Sequence, residues 1–396
     1  MRIKKILALI LTFLTLMQLC TAVCFGDGTD DAVQADEKVT EENIMDKTDA
    51  RSAILTESST GTVIAEKNTH EKLPVSHLAK LMTVLIAAEK IDSNQLSVKD
   101  TVTASANANA KGAPQIWLNV GEKISVDELL KALTVGNAND ACTALAEKIG
   151  GTEDKFKEML NRRAGELKMS DTYFDDVCGT SENTVSSAYD MAILAKELLK
   201  HKFLAPYFTT WMCSVRNNAT ELVSTNRLIR TYNGCQGIKS CSSKALGECI
   251  VTACTKGKTT LCCVILGAKS DDDKFTSARN LMDYGYQNYM IYTPEIDEKA
   301  LENITVNYGE KQEIAVKIKG LEGIVISRED YNNMSCEFKR EESVTAPVAK
   351  GDRIGVLTVK NGDNTIVTMD IVADETVKEI SFVFAFKRLL LNLLYI

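Results

Sequence analysis

The sequence predicts an α/β protein of the α+β sandwich type, with helices around an antiparallel sheet, followed by a small all-β domain. Two patterns lead to this prediction. Strand-like segments come first, helical segments fill the middle and strand-like segments return, and beyond them lie short alternating strands broken by Gly, Asn and Asp. With 396 residues, 45% of them hydrophobic, the chain is long enough for two domains with buried cores.

The first 26 residues have the organisation of an export signal. Three basic residues within the first five positions precede the apolar run ILALILTFLTLMQL, which is too short for a comfortable membrane span. Cleavage is expected between about Cys24 and Ala35, and the residues before Cys20 and Cys24 match a lipoprotein signal poorly. Residues 27–49 are acidic, polar and aperiodic, which predicts a flexible spacer. We therefore expect an exported, extracytoplasmic protein.

Residues 50–296 contain the elements of the predicted sandwich. The segment RSAILTESSTGTVIAEKN predicts a hairpin, and a helix with apolar residues at helical spacing follows from about Ser76 to Lys90. The segment VDELLKALTVGNANDACTALAEKIGG predicts two helices around a polar break, and TEDKFKEMLNRRAGELKM and SSAYDMAILAKELLK predict one helix each. A second hairpin is predicted in GECIVTACTKGKTTLCCVILGAK, and the first and last strands should pair in one sheet.

The C-terminal part predicts a small all-β domain over residues 297–375 and an amphipathic helix over residues 376–396. The helix has one narrow stripe of polar or small residues, at Lys378, Ser381, Ala385, Arg388 and Asn392, and is otherwise largely apolar. Because Lys387 and Arg388 interrupt the apolar run, we expect a helix that lies in the membrane surface and does not span the membrane. A helix docked on the β-domain is the alternative.

Composition restricts the partners. A net charge of −8 without a basic patch disfavours nucleic acid. The three histidines are scattered, so neither a metal nor another cofactor is expected. Ten cysteines follow the signal, and an even number in an exported protein permits disulfides, for example between Cys235 and Cys241. The favoured interpretation is that the cysteines are small buried hydrophobic residues.

Seven segments follow one another in a recognisable order: ARSAILTESSTGTVIAEKNTHEKLP, KLMT, LNVGEKISVDELLKAL, NANDACTALAEKIGG, YDMAILA, TNRLIRTYNGCQGIKS and CCVILGAK. In order and spacing they resemble the serine-type D-alanyl-D-alanine carboxypeptidases, the low-molecular-mass penicillin-binding proteins of the peptidase S11 family. The resemblance runs from about Ala50 to Ile291 and continues into the β-domain. It implies a β-lactamase/DD-peptidase-like domain over residues 50–296, and a C-terminal membrane anchor.

The family's chemistry, carried over by this resemblance, uses three motifs in one cleft. A Ser-x-x-Lys pair at a helix start supplies nucleophile and base, and a Ser-x-Asn loop relays a proton and orients the substrate. A Lys-Thr-Gly strand binds the terminal carboxylate of the substrate. The corresponding segments of this chain are His77-Leu78-Ala79-Lys80, Asn137-Ala138-Asn139 and Lys239-Ser240-Cys241.

All three motifs are altered. The resemblance places His77 at the position of the nucleophile, Asn137 at that of the relay serine and Cys241 at that of the glycine. The residues that remain as catalytic or substrate-binding candidates are Lys80, Asn139, Lys239, Ser240 (in place of threonine) and the neighbouring Ser242. Three changes in one cleft indicate relaxed selection on catalysis.

Local replacement of the lost serine is disfavoured at each nearby nucleophile. Ser76 lies four residues before Lys80, but it is expected to cap the helix, and one helical residue rotates a side chain by about 100°. His77 would fill the place of the substrate, and Cys241 is expected to pack within its strand.

Two hypotheses of function follow. The favoured one is a non-catalytic envelope protein that binds a peptidoglycan stem peptide or a cell-wall protein. The alternative is a carboxypeptidase that still removes the terminal D-alanine of stem peptides by an altered mechanism. Loss of a nucleophile costs roughly 10⁶-fold in turnover, about 8 kcal/mol, which favours the first hypothesis.

Overall fold

A five-stranded antiparallel sheet forms the centre of the larger domain. The computed structural model describes residues 40–321 and 323–394. In spatial order the strands are β2 (Val63–Lys67), β1 (Ser52–Glu57), β11 (Thr259–Ala268), β10 (Gly247–Lys256) and β9 (Cys235–Ser243). Leu55 of β1 lies opposite Cys263 of β11, which confirms the predicted pairing of the first and last strands. Both predicted hairpins, β1–β2 and β10–β11, are present.

Helices cover both faces of this sheet. Their bounds are α1 (Glu41–Asp46), α2 (Lys80–Asp92), α3 (Ala106–Asn109), α4 (Val126–Thr134), α5 (Asn139–Gly150), α6 (Glu153–Glu166), α7 (Ala188–Lys200), α8 (Ala205–Thr209), α9 (Leu228–Thr231) and α10 (Asp271–Asn288). One face packs against α2 and α4 to α7, and the other packs against α1, α9 and α10. The predicted α+β sandwich is therefore confirmed.

Three short ladders and two single-turn helices complete this domain. The ladders are β3 (Leu73–Pro74) with β6 (Val185–Ser186), β4 (Thr101–Thr103) with β5 (Lys123–Ser125), and β7 (Met212–Val215) with β8 (Thr220–Val223). The 3-10 helices are Ser76–Ala79 and Lys202–Leu204. These short elements lie in the segments that connect the helices and strands of the sandwich.

The predicted helix from Ser76 to Lys90 is two elements, a 3-10 turn followed by α2. The predicted N-cap role of Ser76 is wrong. Ser76 is the first residue of the 3-10 turn with a φ of 49°, and no side-chain cap hydrogen bond is made there. An N-cap residue needs an extended backbone, whereas this chain enters the turn through the left-handed region.

Part of the predicted spacer is folded. Residues 41–46 form α1, in which Ile44 and Met45 are buried. They join the core beneath α10, and the Thr48 hydroxyl donates to the Ile44 carbonyl at 2.8 Å. Two adjacent apolar residues anchor this acidic segment, so the spacer assignment is wrong here. Residues 27–39 of the spacer and the export signal lie outside the described residues.

The smaller domain is built from β-strands and 3-10 turns. Its strands and the one leading into it are β12 (Tyr289–Tyr292), β13 (Ile304–Asn307), β14 (Glu313–Ile314), β15 (Val316–Ile318), β16 (Ile324–Ser327), β17 (Met334–Arg340), β18 (Ser343–Thr345), β19 (Arg353–Asn361) and β20 (Asn364–Ala373). They form the sheets β14-β13-β18 and β15-β20-β19-β17 around their own apolar core. The predicted all-β domain is confirmed.

The terminal helix α11 (Phe382–Leu394) begins later than the predicted boundary at residue 376. The preceding residues bond to the β-domain instead, with the Val377 amide donating to the Val348 carbonyl at 2.8 Å. Large apolar side chains of α11 stay exposed, Phe382 by 85% and Leu389 by 58%, so this helix is not docked on the β-domain core. No helix within residues 40–321 and 323–394 is long and apolar enough to cross a membrane.

Candidate active site

The three predicted motifs lie close together. The first is on the 3-10 turn and the start of α2, the second on the loop that leads into α5, and the third on the edge strand β9. His77 lies on the turn, and Lys80 is the first residue of α2. Asn137 has a φ of 58°, and its Nδ2 donates to the Ser240 carbonyl at 3.4 Å. This hydrogen bond joins the second motif to the third. The segments predicted to form the cleft therefore lie close together in the folded chain.

Lys80 is fully buried beneath His77. Its Nζ donates to the Cys178 carbonyl at 2.7 Å and lies 2.8 Å from Nδ1 of His77. Burial lowers the pKa of Lys80. Burial and the neighbouring ammonium groups of Lys80 and Lys239 lower the pKa of His77 to about 3. The imidazole is therefore neutral near pH 7 and does not offset the charge of either lysine.

Lys239 is a second buried amine, 2% exposed on β9. Its Nζ donates to the Leu133 carbonyl at 2.5 Å. Burial, reinforced by the charge of Lys80, lowers the pKa of Lys239 to about 7. Across the described part of the chain, neither Lys80 nor Lys239 forms an ion pair with a carboxylate. Within the described residues the two amines thus form a buried basic centre, whose hydrogen bonds go to backbone carbonyls and to the neutral His77 imidazole.

Three polar atoms around these amines are buried and have no hydrogen-bond partner in residues 40–321 and 323–394. They are Oδ1 of Asn137, Oδ1 of Asn139 and Oγ of Ser240. Asn139 is nevertheless fixed, because its Nδ2 donates to the carbonyls of Gly112 and Ala113 at 2.9 and 3.1 Å. An unpaired buried polar group costs about 1–3 kcal/mol, so a cluster of three is typical of a site that receives a ligand or water.

A cavity of about 340 Å³ opens beside this centre. Its polar lining includes Ser76, His77, Thr180, Ser181, Ser242 and Lys244. Of the predicted site residues only His77 and Ser242 line it, whereas the remaining motif residues lie outside the lining. Cys241 is buried and faces Cys249 across the β9–β10 ladder. The lining of the cavity and the buried centre around Lys80 and Lys239 are thus formed by different residues.

Sequence reasoning missed Thr180, Ser181 and Lys244. The loop that carries the first two packs tightly on the 3-10 turn, since a Cβ at Gly179 (φ 70°) would lie 1.9 Å from the Ser76 carbonyl oxygen. The polar stretch CGTSENT, without apolar periodicity, was the available signal for such a loop. In the described residues no group of His, Cys, Asp or Glu side chains is arranged to hold a metal ion.

Comparisons with known proteins agree in family and fold. Residues 37–270 match the family model of D-alanyl-D-alanine carboxypeptidases (peptidase S11), and residues 295–379 match that of the penicillin-binding protein 5 C-terminal domain. D-alanyl-D-alanine carboxypeptidase DacF of Bacillus subtilis is 32% identical over 345 residues, which cover 86% of this chain and 89% of the relative. DacC of Escherichia coli is 29% identical over 343 residues, covering 84% and 86%.

Solved structures show the same fold. Penicillin-binding protein 5 from Haemophilus influenzae superposes with a TM-score of 0.75 at 22% identity, covering 84% of this chain and 98% of that one. The carboxypeptidase DacD from Francisella tularensis gives a TM-score of 0.68 at 22% identity, covering 90% and 100%. The similarity therefore includes both domains.

Proposed function

We propose that this chain, which belongs to the D-alanyl-D-alanine carboxypeptidase family, is a non-catalytic envelope protein that binds peptidoglycan stem peptides. The observation that carries the proposal is the 2.8 Å contact between Nδ1 of His77 and Nζ of Lys80. In the family's chemistry the lysine amine removes a proton from a serine hydroxyl. In this chain the partners of the Lys80 amine are the His77 imidazole and the Cys178 carbonyl, and neither is a hydroxyl that the amine could activate.

The electrostatics support the same conclusion. With a pKa of about 3, His77 is a weak base and a weak proton acceptor near pH 7. The amine of Lys80 is held by a backbone carbonyl on its other side. Removal of a nucleophile costs roughly 10⁶-fold in turnover, and no group described around Lys80 offsets such a loss.

Recognition has separate support. Ser242 and Lys244 line the cavity, and the buried hydroxyl of Ser240, on the same strand as Ser242, has no hydrogen-bond partner in the described residues. A peptide that ends in a carboxylate offers acceptors for the ammonium and hydroxyl groups. Because Cys241 replaces the glycine of the family's strand motif, we expect weak binding, on the order of millimolar or about −4 kcal/mol.

The cellular setting is part of the proposal. The basic and apolar start of the chain favours export. The exposed apolar side chains of α11 favour attachment to a membrane surface. The protein would then hold or sense stem peptides, or a cell-wall protein, close to the membrane.

An active carboxypeptidase of altered mechanism is the second candidate, and one observation favours it. Ser76 lines the same cavity as His77 and is its sequence neighbour. Its hydroxyl is therefore accessible to a substrate, although the hydrogen bonds of Lys80 go to His77 and Cys178. This candidate requires Ser76 to be acylated.

Exposure to a fluorescent penicillin, followed by intact mass measurement, separates the two candidates. We expect no covalent adduct on the mature chain, and only a minor one after His77→Ser, because Asn137 and Cys241 remain and such groups act as a unit. A stoichiometric adduct that disappears in Ser76→Ala would establish the altered mechanism instead.

Calorimetric titration with a peptide ending in D-Ala-D-Ala tests recognition. Lys244→Gln should weaken binding several-fold, whereas Lys258→Gln, at the exposed turn of the β10–β11 hairpin, should leave it unchanged. Absence of binding by the unaltered protein, or equal effects of both substitutions, would show that the cavity does not recognise the peptide.

A further inference from the structure

Cys235 and Cys254 face each other directly across two strands. They are Cα partners in the antiparallel pairing of β9 with β10. Directly opposed residues have Cα atoms roughly 4.5–5.5 Å apart, which lies within the roughly 4.4–6.8 Å range of disulfides. Cys254 belongs to the apolar cluster on one face of the sheet, and Cys235 packs against the same cluster, so both side chains lie on the same face. The strand pairing therefore places the two thiols where a disulfide can form.

The two thiols differ in the way that an attacking and a resolving cysteine differ. Cys235 is half-buried, and its sulfur accepts a hydrogen bond from the Gly237 amide at 3.4 Å and lies 3.6 Å from the Thr252 hydroxyl. The contact with Cys254 and these hydrogen bonds lower the pKa of Cys235 to about 7. Cys254 is fully buried, and its neighbour and its burial raise its pKa.

Gly237 fixes the amide that supports this thiolate. Its φ is 83°, and a Cβ at this position would lie 2.1 Å from the Phe208 carbonyl oxygen. Only glycine fits there without displacing backbone, so the direction of the Gly237 N–H is set by the packing of β9 on α8. A partly exposed, low-pKa cysteine beside a resolving cysteine is the arrangement found at reactive thiol sites.

The other two thiol pairs lack this access. Cys241 and Cys249 are also opposed on β9 and β10, but they are 3% and 0% exposed. Cys142 and Cys178 are also neighbours, but they are 0% and 2% exposed. Among the paired cysteines of the described chain, only Cys235 is partly exposed in the folded protein.

We propose that Cys235 and Cys254 form a thiol–disulfide exchange site that takes a low-molecular-mass disulfide as its oxidant. The Cys235 thiolate attacks one sulfur of that disulfide, forming a mixed disulfide and releasing the first small thiolate, which takes up the proton Cys235 has lost. Cys254 then loses its proton and attacks the sulfur of Cys235, and the second small thiol leaves with that proton. Two protein thiols are oxidised to one disulfide, and one small disulfide is reduced to two thiols.

Incubation of the reduced, folded, full-length mature chain with glutathione disulfide tests this site. We expect intact mass to fall by two hydrogen atoms, and peptide mapping to place the new bond between Cys235 and Cys254. In Cys254→Ser the reaction should stop at the mixed disulfide, giving a mass increase of one glutathionyl group on Cys235. Cys235→Ser should give neither product.

Cys213→Ser and Cys336→Ser are matched controls, because each removes a half-buried cysteine that has no thiol neighbour in the described structure. Both variants should oxidise as the unaltered protein does. The proposal is overturned if the new disulfide maps to another cysteine pair, if Cys235→Ser reacts as fast as the unaltered protein, or if no thiol is lost. None of these outcomes depends on whether the cleft binds stem peptides.

Discussion

The ammonium group of Lys239 is buried without an acidic partner among the described residues, and the free-energy cost of burying it depends on pH. In the unfolded chain a lysine has a pKa of about 10.4, whereas the pKa of folded Lys239 is about 7. Between these values the unfolded state binds the proton and the folded state does not. The free energy of unfolding should therefore rise with pH from about 7 to about 10.4, by an amount on the order of 4 kcal/mol from this residue.

Lys239→Met should remove this penalty. Near pH 6 we expect the variant to be more stable by about 2 kcal/mol, since loss of the buried charge outweighs the unpaired Leu133 carbonyl. The difference should shrink as the pH rises towards 10. Urea unfolding at a series of pH values measures it, with Lys258→Met at an exposed turn as the control. A constant difference across the series would contradict the assignment of the lowered pKa to Lys239.

At the residue scale the sequence predicted which groups meet, but not how they are held. The resemblance to a family was sufficient to predict that His77, Asn137 and Ser240 lie near one another. The left-handed backbone of Ser76 packs against a residue about a hundred positions away, Gly179. No local pattern carries that information, and the expected helix cap failed for this reason.

At the scale of elements, α11 provides a direct test of membrane attachment. The chain from Val377 to Ile380 bonds to the β-domain, because the Ile380 amide donates to the Tyr308 carbonyl at 2.8 Å. Deletion of residues 382–396 should therefore leave that domain folded and release the mature protein from anionic lipid vesicles in a flotation assay.

A matched variant keeps the helix and changes its apolar face. Phe386→Ser with Leu389→Ser should lower vesicle binding at least tenfold, because two exposed apolar side chains are lost, while helix content is maintained. Full retention of either variant on vesicles would show that α11 is not the anchor.

Periodicity predicted the elements that have one clear apolar stripe or a Gly-centred turn. It succeeded for α2, α4 to α7 and both hairpins. It did not assign α10, whose mixed sequence DDDKFTSARNLMDYGYQN carries a Ser270 cap and an acidic first turn but is polar on average. The buried face of α10 mixes apolar residues such as Leu281 and Met282 with polar ones such as Lys274 and Ser277, so it is not a clear apolar stripe in the sequence.

At the scale of the whole molecule, α10 and β12 connect the two domains. β12 pairs with β16 of the β-domain, and Nε of Arg328 donates to the Tyr286 carbonyl at 2.8 Å near the end of α10. Arg328→Ala should remove a charged hydrogen bond and lower the free energy of unfolding by about 1.5 kcal/mol. Limited proteolysis should then cut faster in the linker at residues 293–297.

Arg353→Ala is the control for this coupling. Arg353 is mostly exposed and pairs with Asp370 within the β-domain alone, so its loss should change stability by less than about 0.5 kcal/mol. If both variants are cut at the same rate, the Arg328 bond does not hold the domains together.

The position of β1 in the central sheet has a consequence for the order of events during synthesis. β1 leaves the ribosome with β2, yet its other neighbour, β11, lies some two hundred residues further along the chain. The amides and carbonyls on one edge of the nascent hairpin therefore remain unpaired while most of the domain is still being synthesised. Such distant pairing gives a high contact order and slow folding. Until β11 arrives, that open edge is available to any other extended chain, so the yield of native protein should depend on how well the early hairpin is shielded.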